Sequence, residues 1–270
     1  MTETRRPAVA GRFYPSNPQK LQSEISRLLN NPAPKRSALA CMVPHAGYMY
    51  SGGVAGKVFS AIEFPKRIIL IGPRHYPEGA PLAIMSHGAW ETPLGLAQID
   101  EDLAAKLKNQ FAALREDDVA HRTEHALEVE LPFLQSLLDE QLRFVPIALG
   151  TDRLPLLEGL GLAISSVISS SKEPIFIVAS SDMNHYENDA VTRTKDALAL
   201  EKVLALDARG LYETVRSNEI SMCGYAAATV MLTAAKALGA TKAELAAYAT
   251  SGDVNGDRSA VVGYAGVIIS

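Results

Sequence analysis

The sequence predicts an α/β fold, a single-domain layered structure in which a mostly parallel central sheet is flanked by helices. Short apolar runs alternate with longer amphipathic segments along all 270 residues, as in chains whose strands are connected by covering helices. No Gly/Ser-rich or Pro-rich linker and no block of like charge divides the chain, so we expect one domain over residues 1–270. With 47% hydrophobic residues, the chain has ample apolar surface for a large core.

Each strand is predicted from a short run of mostly β-branched or aliphatic residues bounded by Pro, Gly or charge. The six runs cover residues 38–43, 67–71, 142–149, 174–179, 245–250 and 261–269. Each helix is predicted from apolar residues at helical spacing. These segments are 53–62, 100–110, 126–138, 154–168, 189–206 and 226–238, with a further short helix at 207–216. Residues 81–96, which include two prolines and Trp90, are predicted to be irregular strand or loop.

Charge and composition exclude several classes of partner. Lys and Arg number 26 against 30 Asp and Glu, so no basic excess exists to hold a phosphate backbone, and no nucleic acid partner is expected. No segment reaches the roughly 18 apolar residues of a membrane span, and residues 1–7 lead into no signal-peptide apolar run. We therefore expect no membrane partner and a cytoplasmic location. Two cysteines, Cys41 and Cys223, are too few for a disulfide framework, so both are expected to be reduced.

Three of the predicted strands are followed directly by a histidine. His45 follows the first strand, His75 the second and His185 the fourth. Ligands of open α/β sheets gather outside the carboxyl ends of the strands, so these histidines are predicted to share one site. Neutral imidazole is the commonest metal ligand in proteins, which makes a metal site the first hypothesis. The alternative is that each is a structural histidine or a helix cap.

Two further residues are candidates for the same site. Asp182, three residues before His185, can hold a histidine in one tautomer, ligate a metal itself, or cap the helix that follows. Cys223 precedes the predicted helix 226–238, whose N-terminus would favour the thiolate and suit a nucleophile or a soft metal ligand. The alternative for Cys223 is a buried, inert thiol. Cys41 lies inside an apolar run and is predicted to be core.

The segment around His125 contains a second, weaker metal pattern. His121 to His125 matches H-x-x-E-H, in which two histidines one helical turn apart bind zinc. That pattern needs a helix through both histidines, whereas residues 115–123 are polar and are predicted to be a loop, so His121 is expected to be solvated. Glu124 and Glu128 have the spacing of residues on one helix face. His87 is expected at the surface.

The ordered motifs of the chain resemble those of the Memo protein family, which is itself similar in fold to the class III extradiol dioxygenases, non-haem iron enzymes that open catechol rings. The resemblance extends over nearly the full chain. It is carried by AGRFYP at residues 10–15, PHAGY at 44–48, GPRH at 72–75, EHALE at 124–128, LPF at 131–133, SSDMNH at 180–185, CG at 223–224 and GYAG at 263–266.

The resemblance implies a set of roles. His45, His75 and Cys223 would occupy the three metal-ligand positions, with Asp182 and His185 lining the same pocket. His125 would lie close by. The dioxygenases hold iron(II) with two histidines and a carboxylate, whereas this sequence offers Cys223 where their Glu would stand. Iron(II) is the expected metal, and the softer thiolate also allows copper or zinc. Members of the family are often encoded beside a radical-SAM protein and an AMMECR1-like protein, which are the implied pathway partners.

Three functions remain open from the sequence. The leading hypothesis is an iron(II)-dependent, dioxygenase-like oxidoreductase acting on a small-molecule substrate, with aromatic or phenolic compounds as the first candidates. In it, His185, positioned by Asp182, is the acid or base, and His125 completes the catalytic group. The second is a hydrolase or transferase with Cys223 as nucleophile and His185 as base. The third is a non-catalytic scaffold whose pocket binds a metal or a peptide.

Overall fold

The computed structural model of the protein describes residues 4–30 and 34–270. Residues 1–3 of the segment 1–7, for which no signal peptide was expected, lie outside the described residues. Strands of the described part join in one sheet. They are β1 (Thr4–Arg5), β2 (Ala40–Val43), β3 (Arg67–Pro73), β4 (Leu82–Ile84), β5 (Ala89–Thr92), β6 (Gly95–Ile99), β7 (Arg115–Glu116), β8 (Arg143–Leu149), β9 (Ile175–Ser180), β10 (His185–Glu187), β11 (Ala243–Thr250) and β12 (Val261–Ile269).

The centre of the sheet is parallel. Its path is β1-β5-β6-β8-β3-β9-β2-β12-β10, with β11 paired to β12, and β4 paired to both β8 and β7. Strands β6, β8, β3, β9 and β2 run parallel, while β12 joins β2 in the antiparallel sense. The predicted α/β fold class is therefore confirmed. Residues 81–96, expected as irregular strand or loop, form β4, β5 and the start of β6.

Helices cover both faces of this sheet. They are α1 (Pro18–Leu28), α2 (Tyr48–Ser60), α3 (Glu101–Gln110), α4 (Val119–Arg122), α5 (Leu131–Leu138), α6 (Leu154–Ser170), α7 (Asp189–Leu204), α8 (Ala208–Ser217), α9 (Tyr225–Ala237) and α10 (Gly252–Asn255), with short 3₁₀ turns at Glu128–Glu130 and Asp139–Gln141. Among the described residues, none of the helices combines the length and apolar character needed to cross a membrane.

Two helices differ from the prediction for identifiable reasons. The helix expected over 126–138 begins as α5 only at Leu131, because Pro132 has no N–H and its ring would clash inside a longer helix. Helix α2 begins at Tyr48 rather than at residue 53, and Gly52 and Gly56 lie within it. A side chain at either glycine would collide with Leu28 of α1, so the glycines allow the two helices to approach closely.

Successive residues of the central strands alternate between two cores. In β3, Ile69 and Ile71 face the core under α3, α6, α7, α8 and α9, whereas Ile68 and Leu70 face the core under α1, α2 and α5. Because both faces of the sheet are buried, polar residues of these strands are concentrated at the strand ends. The pairing of Val43 with Ser180, and of neighbouring β3 with β9, brings the segments after β2, β3 and β9 to one edge.

Candidate metal centre

Three histidines converge at the carboxyl edge of the central strands. His45 follows β2, His75 follows β3, and His125 lies in the segment between α4 and the first 3₁₀ turn. One ring nitrogen of each lies within 4.8 Å of those of the other two. The ring centroids are 5.3 Å apart for His45 and His75, 5.5 Å for His45 and His125, and 4.5 Å for His75 and His125. Imidazoles at these separations can bind one ion in common.

His45 is the most enclosed of the three, with 1% of its surface exposed. Its backbone N–H donates to Asp182 Oδ1 at 2.8 Å, and its Nδ1 lies 2.7 Å from Ser180 Oγ. Its Nε2 lies 3.3 Å from Cys223 Sγ. Burial, and secondly the charge of His75, lower the pKa of His45 to about 3. The ring is therefore neutral at physiological pH, which is the form that binds metals.

A buried carboxylate, Glu124, orients the other two histidines. Its Oε1 lies 2.8 Å from His75 Nδ1 and 3.4 Å from His125 Nδ1, and it accepts the backbone N–H of Ala126 at 2.8 Å. Burial would raise the pKa of Glu124, but the hydrogen bonds and charge of His75 and the Ala126 donor outweigh it and lower the pKa to about 2. Because the ionised carboxylate only accepts, His75 donates through Nδ1, and Nε2 is the ring nitrogen that remains for a metal.

His125 completes the histidine cluster. Its ring stacks on His75 with an interplanar angle of 24° and packs 4.9 Å from the ring of Phe13. Burial, followed by the charge of His45, lowers the pKa of His125 to about 4. His125 is thus a second neutral imidazole beside His45, and it lies next to both histidines that the resemblance placed at metal-ligand positions.

All six residues singled out from the sequence line one cavity of about 590 Å³. They are His45, His75, His125, Asp182, His185 and Cys223, and the remaining wall includes Phe13, Tyr186, Ser221, Val262 and Tyr264. The volume is within the range of small-molecule sites.

Cys223 lies directly ahead of α9, as expected, but the helix does not decide its charge. Its sulfur accepts the backbone N–H of Asp182 at 3.3 Å. Burial, and then the carboxylate of Asp182, raise the pKa of the Cys223 thiol well above its usual value. The expectation of a helix-stabilised thiolate is therefore wrong for the metal-free protein, because desolvation costs more than a helix N-terminus recovers. Cys41 is fully buried in the core, as predicted.

His185 and Asp182 occupy the cavity wall but do not form the expected pair. The Nδ1 of His185 lies 2.8 Å from the carbonyl oxygen of Ser221, and its backbone N–H donates to Ser221 Oγ at 2.7 Å. A carbonyl only accepts, so His185 is protonated at Nδ1 and its Nε2 can accept a proton. Asp182 instead anchors the backbone of His45. It does not cap the next helix, since Asn188 has that role for α7.

Two serines that contact histidines of the site were not identified from the sequence. Ser180 belongs to the SSDMNH motif, but neither Ser180 nor Ser221 was identified from the sequence as the partner of a histidine, because that role depends on which side chains approach each serine. Tyr186 also lines the cavity, where it is 79% exposed and has a φ of 63°. It lies where the pairing of β10 with β12 shifts register, and such strained bulges are common beside functional sites.

The H-x-x-E-H pattern does not form a zinc site here. His121 was expected to be solvated, but it is fully buried and packs edge-on against Trp90, with ring centroids 5.6 Å apart. Helix α4 ends at Arg122, so no helix connects His121 to His125. Of the two histidines, His125 is the one that joins His45 and His75.

His121 supports a prediction about stability. Neither of its ring nitrogens has a hydrogen-bond partner among the described residues, and burial, then the charge of Arg5, lower its pKa from 6.5 to about 4. As the pH falls, His121 is therefore protonated in the unfolded chain before it is protonated in the folded protein. The free energy of unfolding should decrease as the pH falls from 6.5 to about 4. We expect His121→Leu to add about 1 kcal/mol at neutral pH and about 2 kcal/mol more near pH 5.

Urea unfolding at the two pH values measures this effect. The same substitution at the half-exposed His87 is the control and should change neither value by more than about 0.5 kcal/mol. A His121→Leu protein that is less stable than wild type at both pH values would contradict the prediction.

The chain is similar to proteins of known families. A family model described as Memo-like protein matches residues 5–268. A MEMO1 family protein of Methanosarcina barkeri is 40% identical over 266 residues, which cover 98% of this chain and 99% of that protein. A MEMO1 family protein of Archaeoglobus fulgidus is 40% identical over 264 residues and 98% of both chains. A solved structure of an uncharacterized protein from Escherichia coli K12 aligns with a TM-score of 0.58 over 86% of this chain and 100% of that chain. Its sequence is 12% identical, so this similarity shows the fold alone.

Proposed function

The chain belongs to the Memo-like protein family, and from this premise we propose that it is a metal-binding, non-haem iron(II)-dependent oxidoreductase acting on a small aromatic or phenolic molecule. The convergence of ring nitrogens from His45, His75 and His125 within 4.8 Å is the observation that carries the proposal. The Cys223 sulfur, 3.3 Å from His45 Nε2, adds a softer donor beside them.

The donor set fits a transition metal. The Nδ1 atoms of His45 and His75 are engaged by Ser180 and Glu124, which leaves Nε2 as the donor that each can offer. Imidazole suits iron, copper and zinc alike, whereas a thiolate strengthens copper(I) and zinc relative to a carboxylate. When bound, iron(II) would supply one-electron chemistry and open coordination positions. Cys223, neutral in the metal-free protein, would have to lose its proton to serve as a ligand.

The cavity walls suit a small ring-containing molecule. Phe13, Tyr186 and Tyr264 line it together with the polar cluster, so a planar ring would meet both aromatic surface and polar groups there. His185, held by Ser221 through Nδ1, has Nε2 as the ring nitrogen that would take the proton of a phenol as the molecule binds.

Localisation and partners form part of the proposal. A cytoplasmic site is proposed because both thiols would remain reduced there. A radical-SAM protein and an AMMECR1-like protein are proposed as pathway partners on the family resemblance alone.

Elemental analysis of protein purified without oxygen tests the proposal. We expect near-stoichiometric iron, or its uptake on reconstitution, and a loss of affinity of at least about 10-fold in Cys223→Ser. Cys41→Ala is the matched control, because Cys41 is buried in the core away from the cavity, and it should retain the metal. Oxygen uptake with a panel of catechols and other phenols then tests the activity. Protein that takes up neither iron, copper nor zinc would overturn the proposal in favour of a scaffold.

A Cys/His-dependent hydrolase or transferase is a second candidate, favoured by the contact between Cys223 Sγ and His45 Nε2. In this case His45, rather than His185, would be the base. The raised pKa of Cys223 weighs against it. Rapid, stoichiometric alkylation of Cys223 that is lost in His45→Ala would support this candidate, whereas slow alkylation blocked by metal would exclude it.

A further inference from the structure

A fully buried hydroxyl stands behind His45, on the side away from the cavity. Ser180 Oγ lies 2.7 Å from His45 Nδ1, 2.7 Å from the carbonyl oxygen of Ala126 and 3.1 Å from Glu130 Oε1. Ser180 and Glu130 are both completely inaccessible to solvent. Three polar groups therefore compete for a single hydroxyl.

The chemistry of a hydroxyl decides how these three contacts are shared. Ser180 has one proton to donate and two lone pairs to accept with. The Ala126 carbonyl can only accept, so the hydroxyl proton goes to it. His45 Nδ1 and Glu130 Oε1 must then both be donors. A donating Nδ1 means that His45 carries its proton there, and a donating Oε1 means that Glu130 is a carboxylic acid.

We propose that Glu130 is a positioning residue, kept as a neutral carboxylic acid that, through the Ser180 hydroxyl, holds His45 in the Nδ1–H tautomer with its Nε2 facing Cys223 and the metal position. The inference about the tautomer rests on the geometry alone, and its consequence for metal binding rests on the proposed function.

The surroundings of Glu130 support a neutral acid. Its second oxygen, Oε2, is buried and has no hydrogen-bond partner among the described residues, which an ionised group could scarcely tolerate. Burial, and also the charge of Asp182, raise the pKa of Glu130 well above its usual value, although the Ser180 contact opposes this.

Glu128, two residues earlier, shows what an equally buried glutamate needs in order to stay charged. Its Oε2 accepts from Arg5 at 2.6 Å and from the Ala8 N–H at 2.7 Å, and its Oε1 accepts from the Val9 N–H at 3.0 Å and from Tyr14 at 2.6 Å. The side chain of Glu130 has Ser180 as its single hydrogen-bond partner within the described part of the chain. The two glutamates are therefore a matched pair of opposite protonation state.

Vibrational and NMR spectra of the metal-free protein test the inference directly. At about pH 8 the infrared spectrum should contain the carbonyl stretch of a protonated acid that shifts in deuterated water and disappears in Glu130→Gln. Glu128→Gln is the matched control and should retain that band. The ¹⁵N spectrum should show His45 with a protonated Nδ1 and an unprotonated Nε2. Persistence of every protonated-acid band in Glu130→Gln, or an Nε2–H tautomer of His45, would overturn the proposal.

Metal titration separates a positioning role from a merely structural one. Glu130→Leu and Ser180→Ala should each weaken metal binding about 10- to 100-fold, the usual cost of losing a second partner behind a ligating histidine. Glu130→Gln retains a donor at the same place and should recover most of the affinity lost in Glu130→Leu. Equal losses in the Gln and Leu variants would overturn the donor role.

The two sets of measurements fail independently. If neither the wild-type protein nor any variant binds metal, the proposed function fails. The spectra still decide whether Glu130 is protonated. If Glu130→Leu does not fold, as judged by circular dichroism, the spectra of wild type and Glu130→Gln together with the Ser180→Ala titration decide the inference.

Discussion

His45→Ala is expected to abolish stoichiometric metal binding, with a loss of affinity greater than about 100-fold. Changes behind a ligand alone cost about 10- to 100-fold, and this substitution removes the donor itself. His45 is also the residue that connects the parts of the site, since its ring centroid lies 5.3 Å from His75 and its Nε2 lies 3.3 Å from Cys223. Anaerobic titration with iron(II), copper(I) and zinc, followed by elemental analysis, measures the effect.

The fold should survive this substitution. The backbone N–H of residue 45 still donates to Asp182 Oδ1 in the alanine variant, so the strand end stays anchored. His87→Ala, at a half-exposed histidine outside the cavity, is the control and should bind metal like wild type. Full metal occupancy in His45→Ala would disprove the assignment. Parallel titrations of His125→Ala and Cys223→Ser then decide which of the two residues supplies the third ligand.

Glu128→Ala is expected to lower the free energy of unfolding by about 3–5 kcal/mol, the usual cost of leaving one partner of a buried ion pair alone. The side chains of Glu128 and Arg5 are 0% and 4% exposed, and the pair is separated by 2.6 Å. Arg5 also donates to the carbonyl oxygens of His121 and Glu124, at 2.7 Å each, and its guanidinium lies 4.1 Å from the Trp90 ring centre. The substitution would therefore loosen the segment that presents Glu124 to the histidines.

Denaturant unfolding at neutral pH measures this loss. Glu91→Ala, at an exposed glutamate, is the control and should change stability by less than about 0.5 kcal/mol. Replacing both partners, as in Arg5→Met with Glu128→Leu, should restore part of the stability because no charge is left buried. A single Glu128→Ala variant as stable as wild type would show that the pair contributes nothing net.

The strands were predictable because burial on both faces leaves a signal in the residue types themselves. The run from Val261 to Ile269 is almost wholly apolar and forms β12 with the predicted bounds. Helix bounds were less predictable where a contact from elsewhere in the chain decided them. Gly52 lies outside the helix predicted from residue 53, whereas the structure includes it in α2, where it packs against Leu28 as Gly56 does.

The candidate site also has a part that was predictable from local sequence and a part that was not. The positions of His45, His75 and His185 after strands, and of Cys223 before a helix, follow from local pattern, because parallel strands bring their carboxyl ends to one edge. The hydrogen-bond partners of these residues do not follow from local pattern. Glu124 reaches His75 across 49 residues of sequence, and Ser180 reaches His45 across 135.

The amino-acid sequence by itself therefore determined the fold class, the family and the set of chemical groups at the sheet edge, because these depend on local residue types and their order. Only the tertiary structure decided that His125 stacks on His75, that Ser221 rather than Asp182 holds His185, and that His121 is buried. Partner choice, tautomer and protonation state depend on distances and desolvation between residues far apart in the chain, and these exist only once the chain has folded.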